Sequence, residues 1–103
     1  MNSEFCQVKI TSTSAEEAEM LSELLLKKKL IASCYITNGL AKAWWKGEIF
    51  RHEYPNIEAF FMFKHKEAII TEVKNIHPDE CPIVVFSAID GNTEFLDWLK
   101  ESL

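Results

Sequence analysis

The sequence predicts a single α+β domain over residues 1–103, a ferredoxin-like βαββαβ sandwich with an additional C-terminal helix. The main observation is the order of apolar patterns, which reads strand, helix, strand, strand, helix, strand. Both helices then lie in right-handed βαβ-type crossovers, which place them on the same face of an antiparallel sheet. The chain is 48% hydrophobic with only 3 Gly and 3 Pro, a composition typical of an ordered domain with one core.

The first two elements are predicted from a β-prone run and a helix start signal. Val8 and Ile10 lie in the β-prone run. Ser14 and Glu17 have the serine-x-x-glutamate spacing of a capping box, in which each side chain satisfies a backbone donor near the other residue. Leucines at helical spacing follow, so we expect a helix over residues 15–29.

An extended region is predicted next, over residues 30–50. The Asn38-Gly39 pair can adopt positive φ and predicts a bulge or bend rather than a chain reversal. Trp44 and Trp45 are adjacent, and neighbouring side chains on a strand point to opposite faces. Only one of the two tryptophans is therefore expected in the core of its own subunit.

The second half of the chain repeats the strand and helix patterns. Tyr54-Pro55-Asn56 is expected to interrupt the sheet before an apolar strand at residues 57–64. A helix over residues 66–76 and a buried strand over residues 83–86 follow. Either residue of the Asn92-Thr93 pair can cap a last helix. The apolar side of that helix carries Phe95, Leu96, Leu99 and Leu103.

The predicted strands carry more apolar side chains than two helices can cover. Tyr35, Phe60, Met62 and one tryptophan cannot all lie beneath the helices. An exposed apolar sheet face of that size implies a partner, most economically another copy of the same chain.

Charge and cysteine content indicate the compartment and exclude some partners. Acidic residues outnumber basic ones by 16 to 11, and no basic cluster lies along one face, so nucleic acid is not expected as a partner. No segment resembles an export signal or a membrane span. Three cysteines without paired spacing predict free thiols and a cytoplasmic location. Cys34 falls on the buried side of an alternating run and is expected to pack as a small apolar residue.

The segment from Ile76 to Ile83 holds the candidate metal ligands. Pro78 and Pro82 favour extended backbone at the residue before each, so the His77 ring is expected to project into a cleft. His77, Glu80 and Cys81 would supply borderline-to-soft donors suited to copper or zinc. Paired cysteines are missing from the sequence, so a weak or inter-subunit site is expected. The alternative is a solvated turn between a helix and a strand.

Five segments together resemble the CutA divalent-cation tolerance family: Ala32-Ser33-Cys34, Trp44-Trp45-Lys46-Gly47, Glu58 to Lys64, His77 to Pro82, and Gly91 to Leu99. The resemblance implies a fold similar to that of PII signalling proteins and compact homotrimers joined by long strands. It also implies an association with copper or another divalent metal ion, and no organic cofactor. Asp79 stands where the family usually has tyrosine, which removes an aromatic contact from the turn.

Three functions are compatible with these observations. The favoured one is a trimeric metal-responsive protein of copper and divalent-cation tolerance, which binds metal weakly at the His-Pro turn. The alternative is a PII-like regulator that binds a small metabolite in the inter-subunit cleft, although no glycine-rich phosphate loop is present. An enzyme using Cys81 or Cys34 with His77 is the weakest hypothesis, because no residue that would orient such a pair is identifiable. We therefore predict no catalytic residues and no enzymatic activity.

Overall fold

Four strands and three α-helices occur within the residues that the computed structural model describes, 4–77 and 82–103. The strands form one antiparallel sheet in the order β2-β3-β1-β4. The predicted order of elements and the ferredoxin-like arrangement are confirmed. The elements are β1 (Phe5–Thr11), α1 (Ala15–Lys27), β2 (Ser33–Trp45), β3 (Glu48–Met62), a 3₁₀ turn (Phe63–His65), α2 (Lys66–Ile76), β4 (Val84–Ala88) and α3 (Thr93–Ser102).

The core lies between the sheet and the two helices α1 and α2. Alternate residues of β1 and β3 are fully buried, as expected where one strand face meets helices. The ladder sets Val8 opposite Ala59, so the buried side chains of the two central strands share one face. The core residues of these four elements are Cys6, Val8, Ile10, Ala18, Leu21, Leu25, Ile57, Ala59, Phe61, Ile69 and Val73.

Only one of the two hydrogen bonds of the predicted capping box forms at the start of α1. The Ser14 hydroxyl accepts a hydrogen bond from the Glu17 backbone N–H at 3.1 Å. The Glu17 carboxylate does not return this bond to Ser14, because its Oε2 accepts a hydrogen bond from the Thr13 hydroxyl. Glu17 is buried, so its side chain is directed into the protein rather than back along the helix.

Helix α1 ends two residues before the predicted position, in a Schellman motif. The Leu30 N–H donates to the Leu25 carbonyl, and the Lys29 N–H donates to the Leu26 carbonyl. Lys29 adopts the left-handed conformation, with φ of 55°, at the place where glycine is the usual residue. A lysine at this position is therefore conformationally unfavourable.

Strands β2 and β3 form one long hairpin. The register is unbroken from the pair Ser33–Phe60 to the pair Trp45–Glu48, so the predicted bulge at Asn38-Gly39 is wrong. Lys46 and Gly47 alone connect the strands, with φ of 51° and 83°. Positive φ at both central residues is the type I′ pattern, whose twist matches that of the flanking strands.

Pro55 does not interrupt β3, so the predicted break there is also wrong. In an antiparallel ladder the N–H and C=O of a residue point to the same neighbouring strand. The Pro55 carbonyl accepts from the Ser12 N–H at 2.9 Å, so the side lacking a donor faces β1 where its pairing ends at Thr11. The ladder between β2 and β3 therefore continues past the proline.

Neither Trp44 nor Trp45 enters the core of this chain, contrary to the prediction that one of them would. Trp44 is 72% exposed and Trp45 is 46% exposed. Strand β1 pairs with β3 only as far as Asn56, so the hairpin beyond that residue extends past the part of the sheet that α1 and α2 cover. The long dimension of the molecule, 44 Å against 24 and 22 Å, agrees with this extension.

Helix α3 packs against the sheet face opposite to the core. Its Phe95 ring meets Phe60 edge to face, with centroids 5.1 Å apart, and Leu99 is buried. Asn92 is the N-cap residue, but its side chain accepts no hydrogen bond from the helix backbone, and its Nδ2 instead donates to Oε2 of Glu94. Among the described residues, no helix is long and apolar enough to cross a bilayer.

We predict that Lys29→Gly stabilises the protein by about 0.5–1 kcal/mol, because it removes the left-handed strain of an L-residue at the end of α1. The matched control is Lys27→Gly in the last turn of the same helix, which should lower the free energy of unfolding by up to about 1 kcal/mol. Urea unfolding at fixed protein concentration measures both values. Destabilisation by both substitutions would contradict the assignment of strain to Lys29.

Candidate functional site

His77 is the one predicted metal ligand whose position the structure describes, since Glu80 and Cys81 lie outside the described residues. It follows the last residue of α2, with φ of −71° and ψ of 125°, which is the extended backbone predicted before Pro78. Its backbone N–H donates to the Val73 carbonyl at 2.8 Å and closes the helix.

The imidazole of His77 is 1% exposed, so the prediction that it projects into a cleft is wrong. Its Nε2 lies 2.6 Å from the Thr11 carbonyl oxygen and 3.5 Å from Oε1 of Glu17. A carbonyl oxygen can only accept, so Nε2 carries the proton and donates it to Thr11. In the neutral ring Nδ1 is then the acceptor nitrogen.

A small group of buried polar residues surrounds this ring. Ser12, Glu17 and His77 are all buried where the end of β1, the start of α1 and the end of α2 meet. Oε2 of Glu17 accepts from the Thr13 hydroxyl, whereas Oε1 has no hydrogen-bond partner among the described residues. The capping-box pattern predicted a role for Glu17 only at the helix start. Its burial could have been predicted from its position on the apolar face of α1.

The described residues do not by themselves form a metal centre. No group of three or more His, Cys, Asp or Glu side chains in the two described ranges is close enough to hold an ion. His77 nevertheless has the arrangement that metal-binding histidines usually show, in which the second ring nitrogen donates to a carbonyl or carboxylate. Of the three predicted donors only His77 can be placed, because Glu80 and Cys81 lie outside the described residues, so the predicted site stays a prediction.

The two cysteines in the described ranges behave as packing residues. Cys6 is fully buried in the core, and Cys34 is half-buried against it, as the alternation of residues around Cys34 predicts. Burial raises the pKa of both thiols above the usual value. For Cys34 the nearby carboxylates of Glu19 and Glu23 raise the pKa further, because they disfavour a thiolate.

A groove of about 980 Å³ runs between the β2–β3 hairpin and the end of the sheet, and it reaches His77. Trp44 and Tyr54 contribute aromatic surface, and Lys9, Lys42 and Lys46 contribute positive charge. The described lining residues include no carboxylate, although the chain as a whole carries a net charge of −5.

Comparison with known proteins matches this chain to one family along almost its whole length. Residues 6–102 match the model of the CutA1 divalent ion tolerance protein family. The divalent-cation tolerance protein CutA of Archaeoglobus fulgidus is 36% identical over 96 residues, which cover 91% of this chain and 93% of the relative. The protein of the same name from Thermus thermophilus is 34% identical over 101 residues, covering 92% and 94% of the two chains.

Solved structures agree with the sequence comparison. The structure described as the periplasmic divalent cation tolerance protein CutA from Archaeoglobus fulgidus superposes with a TM-score of 0.91 at 31% identity, covering 95% of this chain and 97% of the other. The structure of the divalent cation tolerance protein from Thermus thermophilus gives a TM-score of 0.90 at 28% identity, with the same coverage of both chains.

We expect Cys6 and Cys34 to react slowly with a thiol-specific disulfide reagent in the native protein at neutral pH, because raised pKa values leave little of the reactive thiolate. Labelling should accelerate as the pH rises towards those pKa values, and in urea. Stopped labelling followed by peptide mass spectrometry assigns the rate to each thiol. Cys34 labelling in the native protein as fast as in the unfolded chain would contradict its role in packing.

Proposed function

Because this chain belongs to the CutA1 divalent ion tolerance family, we propose that it is a homotrimeric, metal-responsive protein of copper and divalent-cation tolerance, without enzymatic activity. The observation that carries the proposal is the match to this family along almost the whole chain, residues 6–102, with relatives named for divalent-cation tolerance. Free thiols at Cys6 and Cys34 support a further proposal, a cytoplasmic location.

The exposed apolar surface supports assembly. The β2–β3 hairpin leaves Leu40, Trp44 and Ile49 on one of its faces, and Tyr35 on the other, more than half exposed in the isolated chain. Large apolar side chains exposed in this way on a single chain are typical of a protein interface. A second copy is the most economical occupant, because the same hairpin on each chain can cover its neighbour in a closed ring.

The edges of the sheet support the same conclusion. Strand β2 is an edge strand of 13 residues, and β4 forms the other edge. An edge strand presents backbone donors and acceptors that another strand can pair with. Val85 of β4 and Ile36 of β2 are exposed apolar residues on these edges, so pairing between subunits would bury apolar side chains as well as backbone groups.

We propose that the metal binds at the turn after α2, with His77 as the main ligand and Glu80 and Cys81 as further ligands. The imidazole is held in place by its Nε2–H, which donates to the Thr11 carbonyl, as the second ring nitrogen of metal-binding histidines commonly does. When bound, copper or zinc would be a Lewis-acidic cation whose uptake the protein signals or buffers. The remaining ligands would come from the turn or from a neighbouring subunit, so modest affinity is expected.

A PII-like regulator with a metabolite in the inter-subunit cleft is the second candidate function. The observation that favours it is the groove with three lysines and no carboxylate among its described lining residues. An anionic metabolite would be the ligand of such a groove. Tryptophan fluorescence during titration with ATP tests it, since Trp44 and Trp45 line the groove, and Lys9→Gln with Lys42→Gln should abolish any response.

We predict that Trp44→Ala weakens assembly, because its ring has little contact with its own subunit and would be buried by a neighbour. The expected loss is roughly 3–5 kcal/mol per fully buried ring. Sedimentation should show wild-type particles near three times 11.9 kDa and smaller, concentration-dependent particles for the variant. Met20→Ala, at an exposed apolar position of α1, is the control and should leave the trimer intact. A stable wild-type monomer would refute the proposal.

We predict that His77→Ala and Cys81→Ser each lower the affinity for Cu²⁺ and Zn²⁺, measured by calorimetric titration of the assembled protein. Binding should also weaken as the pH falls, because protons compete for the imidazole and the thiol. Cys34→Ala is the matched control, since its thiol packs against the core and should not contribute. Equal affinities in wild type, His77→Ala and Cys81→Ser, with trimers intact, would place the metal elsewhere.

A further inference from the structure

Helix α3 carries a negatively charged face that is turned away from the sheet. Exposed residues at the spacing i, i+3, i+4 and i+7, which lie on one side of a helix, form this acidic helix face: Glu94, Asp97, Trp98 and Glu101. Leu99 is buried against the sheet on the other side. Lys100 is the only basic residue of α3, and it lies outside the acidic helix face, where it pairs with Glu4 at 3.7 Å.

The β2–β3 hairpin carries a surface of the opposite charge. Exposed residues that share one side of the ladder form this basic hairpin face: Leu40, Lys42, Trp44, Ile49 and Arg51. Lys42 lies directly opposite Arg51, and like charges in such a pair repel each other. Within residues 4–77 and 82–103 neither cation forms an ion pair, although Glu53 shares their side of the ladder. An anionic partner would remove this repulsion.

The two faces match in charge, composition and length. Each has a solvent-exposed indole beside its charges, Trp98 at 45% exposure and Trp44 at 72%. The acidic helix face spans roughly 10 Å along the helix axis, and the stretch of β2 in the basic hairpin face spans roughly 13 Å. Contact between the faces would pair carboxylates with Lys42 and Arg51 and would bury both indoles. Tryptophan and arginine are the side chains most often found at the energetic centre of an interface.

The two faces lie too far apart to meet within one chain. Helix α3 packs on Phe60, which pairs with Ser33, and Lys42 lies nine residues further along β2, roughly 30 Å at the rise of a strand. The ion pair between Lys100 and Glu4 places the C-terminal half of α3 near the start of β1, away from the hairpin turn. Contact between the faces therefore requires a second chain.

From this complementarity we propose that the acidic helix face of one protomer docks on the basic hairpin face of the next, and that this contact joins the subunits of the ring. The proposal rests on the homotrimer proposed above and names the two surfaces that hold it together. A ring of three identical chains needs two different, matching surfaces on every chain, because a surface that pairs with its own copy gives a dimer. Helix α3 and the hairpin supply such a pair, so the occupant is a second copy of this chain.

Charge reversal with rescue tests this contact in the full-length protein. Lys42→Glu with Arg51→Glu reverses the basic hairpin face, and Asp97→Lys with Glu101→Lys reverses the acidic helix face. At low ionic strength each double substitution should raise the midpoint concentration for trimer dissociation by roughly a hundredfold, because like charges would then face each other. The protein with all four substitutions should assemble like wild type, since its two faces are again opposite in charge. Sedimentation over a range of protein concentrations measures each midpoint.

Lys27→Glu with Lys74→Glu is the matched control. It reverses two exposed lysines, one on α1 and one on α2, that belong to neither face, so the trimer should stay intact. Trimers that neither reversal weakens, or a four-substitution protein that stays dissociated while the control assembles, would overturn the docking and leave the homotrimer standing. A wild-type monomer would refute the homotrimer and the docking with it.

Carbodiimide cross-linking of the wild-type trimer is the second measurement, and it does not depend on the folding of any variant. The reagent joins a lysine amine to a carboxylate that contacts it, and peptide mass spectrometry identifies the joined residues. Lys42 should be joined to Glu94, Asp97 or Glu101 of a neighbouring chain. An intact trimer in which Lys42 is not cross-linked to α3 would overturn the proposal.

Discussion

The mismatch in strand length is the constraint on which the rest of this structure depends. Strands β2 and β3 have 13 and 15 residues, whereas β1 and β4 have 7 and 5. Two helices can cover only the part of the sheet where all four strands lie side by side. Within residues 4–77 and 82–103, neither α1 nor α2 covers the hairpin beyond that part. Its apolar residues, its free edge and the groove beneath it all follow from this one difference.

The short strand β1 also organises the buried polar group of Ser12, Glu17 and His77, which lies where β1 ends and the hairpin extends beyond it. Thr11, its last residue, donates its N–H to the Ile83 carbonyl and accepts a hydrogen bond from His77 through its own carbonyl. The backbone of Thr11 thus hydrogen-bonds to both His77 and Ile83. This arrangement explains how a histidine at a helix end can be buried and still hydrogen-bonded.

His77 and the β2–β3 hairpin both line the groove. His77 and Ile83 lie at one end of it, and the two tryptophans lie at the other. A neighbouring subunit that covered the hairpin would therefore approach the His77 turn as well. Assembly and ligand binding would then be coupled by position alone, because the same surface would complete both.

The sequence by itself determined the features that depend on local preference and periodicity. The order of elements, the bounds of α2, the packing role of Cys34 and the extended backbone at His77 all follow from residue patterns that act over a few positions. Tertiary structure decided the rest. Pro55 stays inside β3 because β1 ends beside it, and that depends on the pairing of distant strands. The His77 ring is buried, and Glu17 faces it, because two acceptors from β1 and α1 surround a residue from the far end of α2. No local sequence pattern predicts these contacts, because only the packing of the whole chain brings Thr11, Glu17 and His77 together.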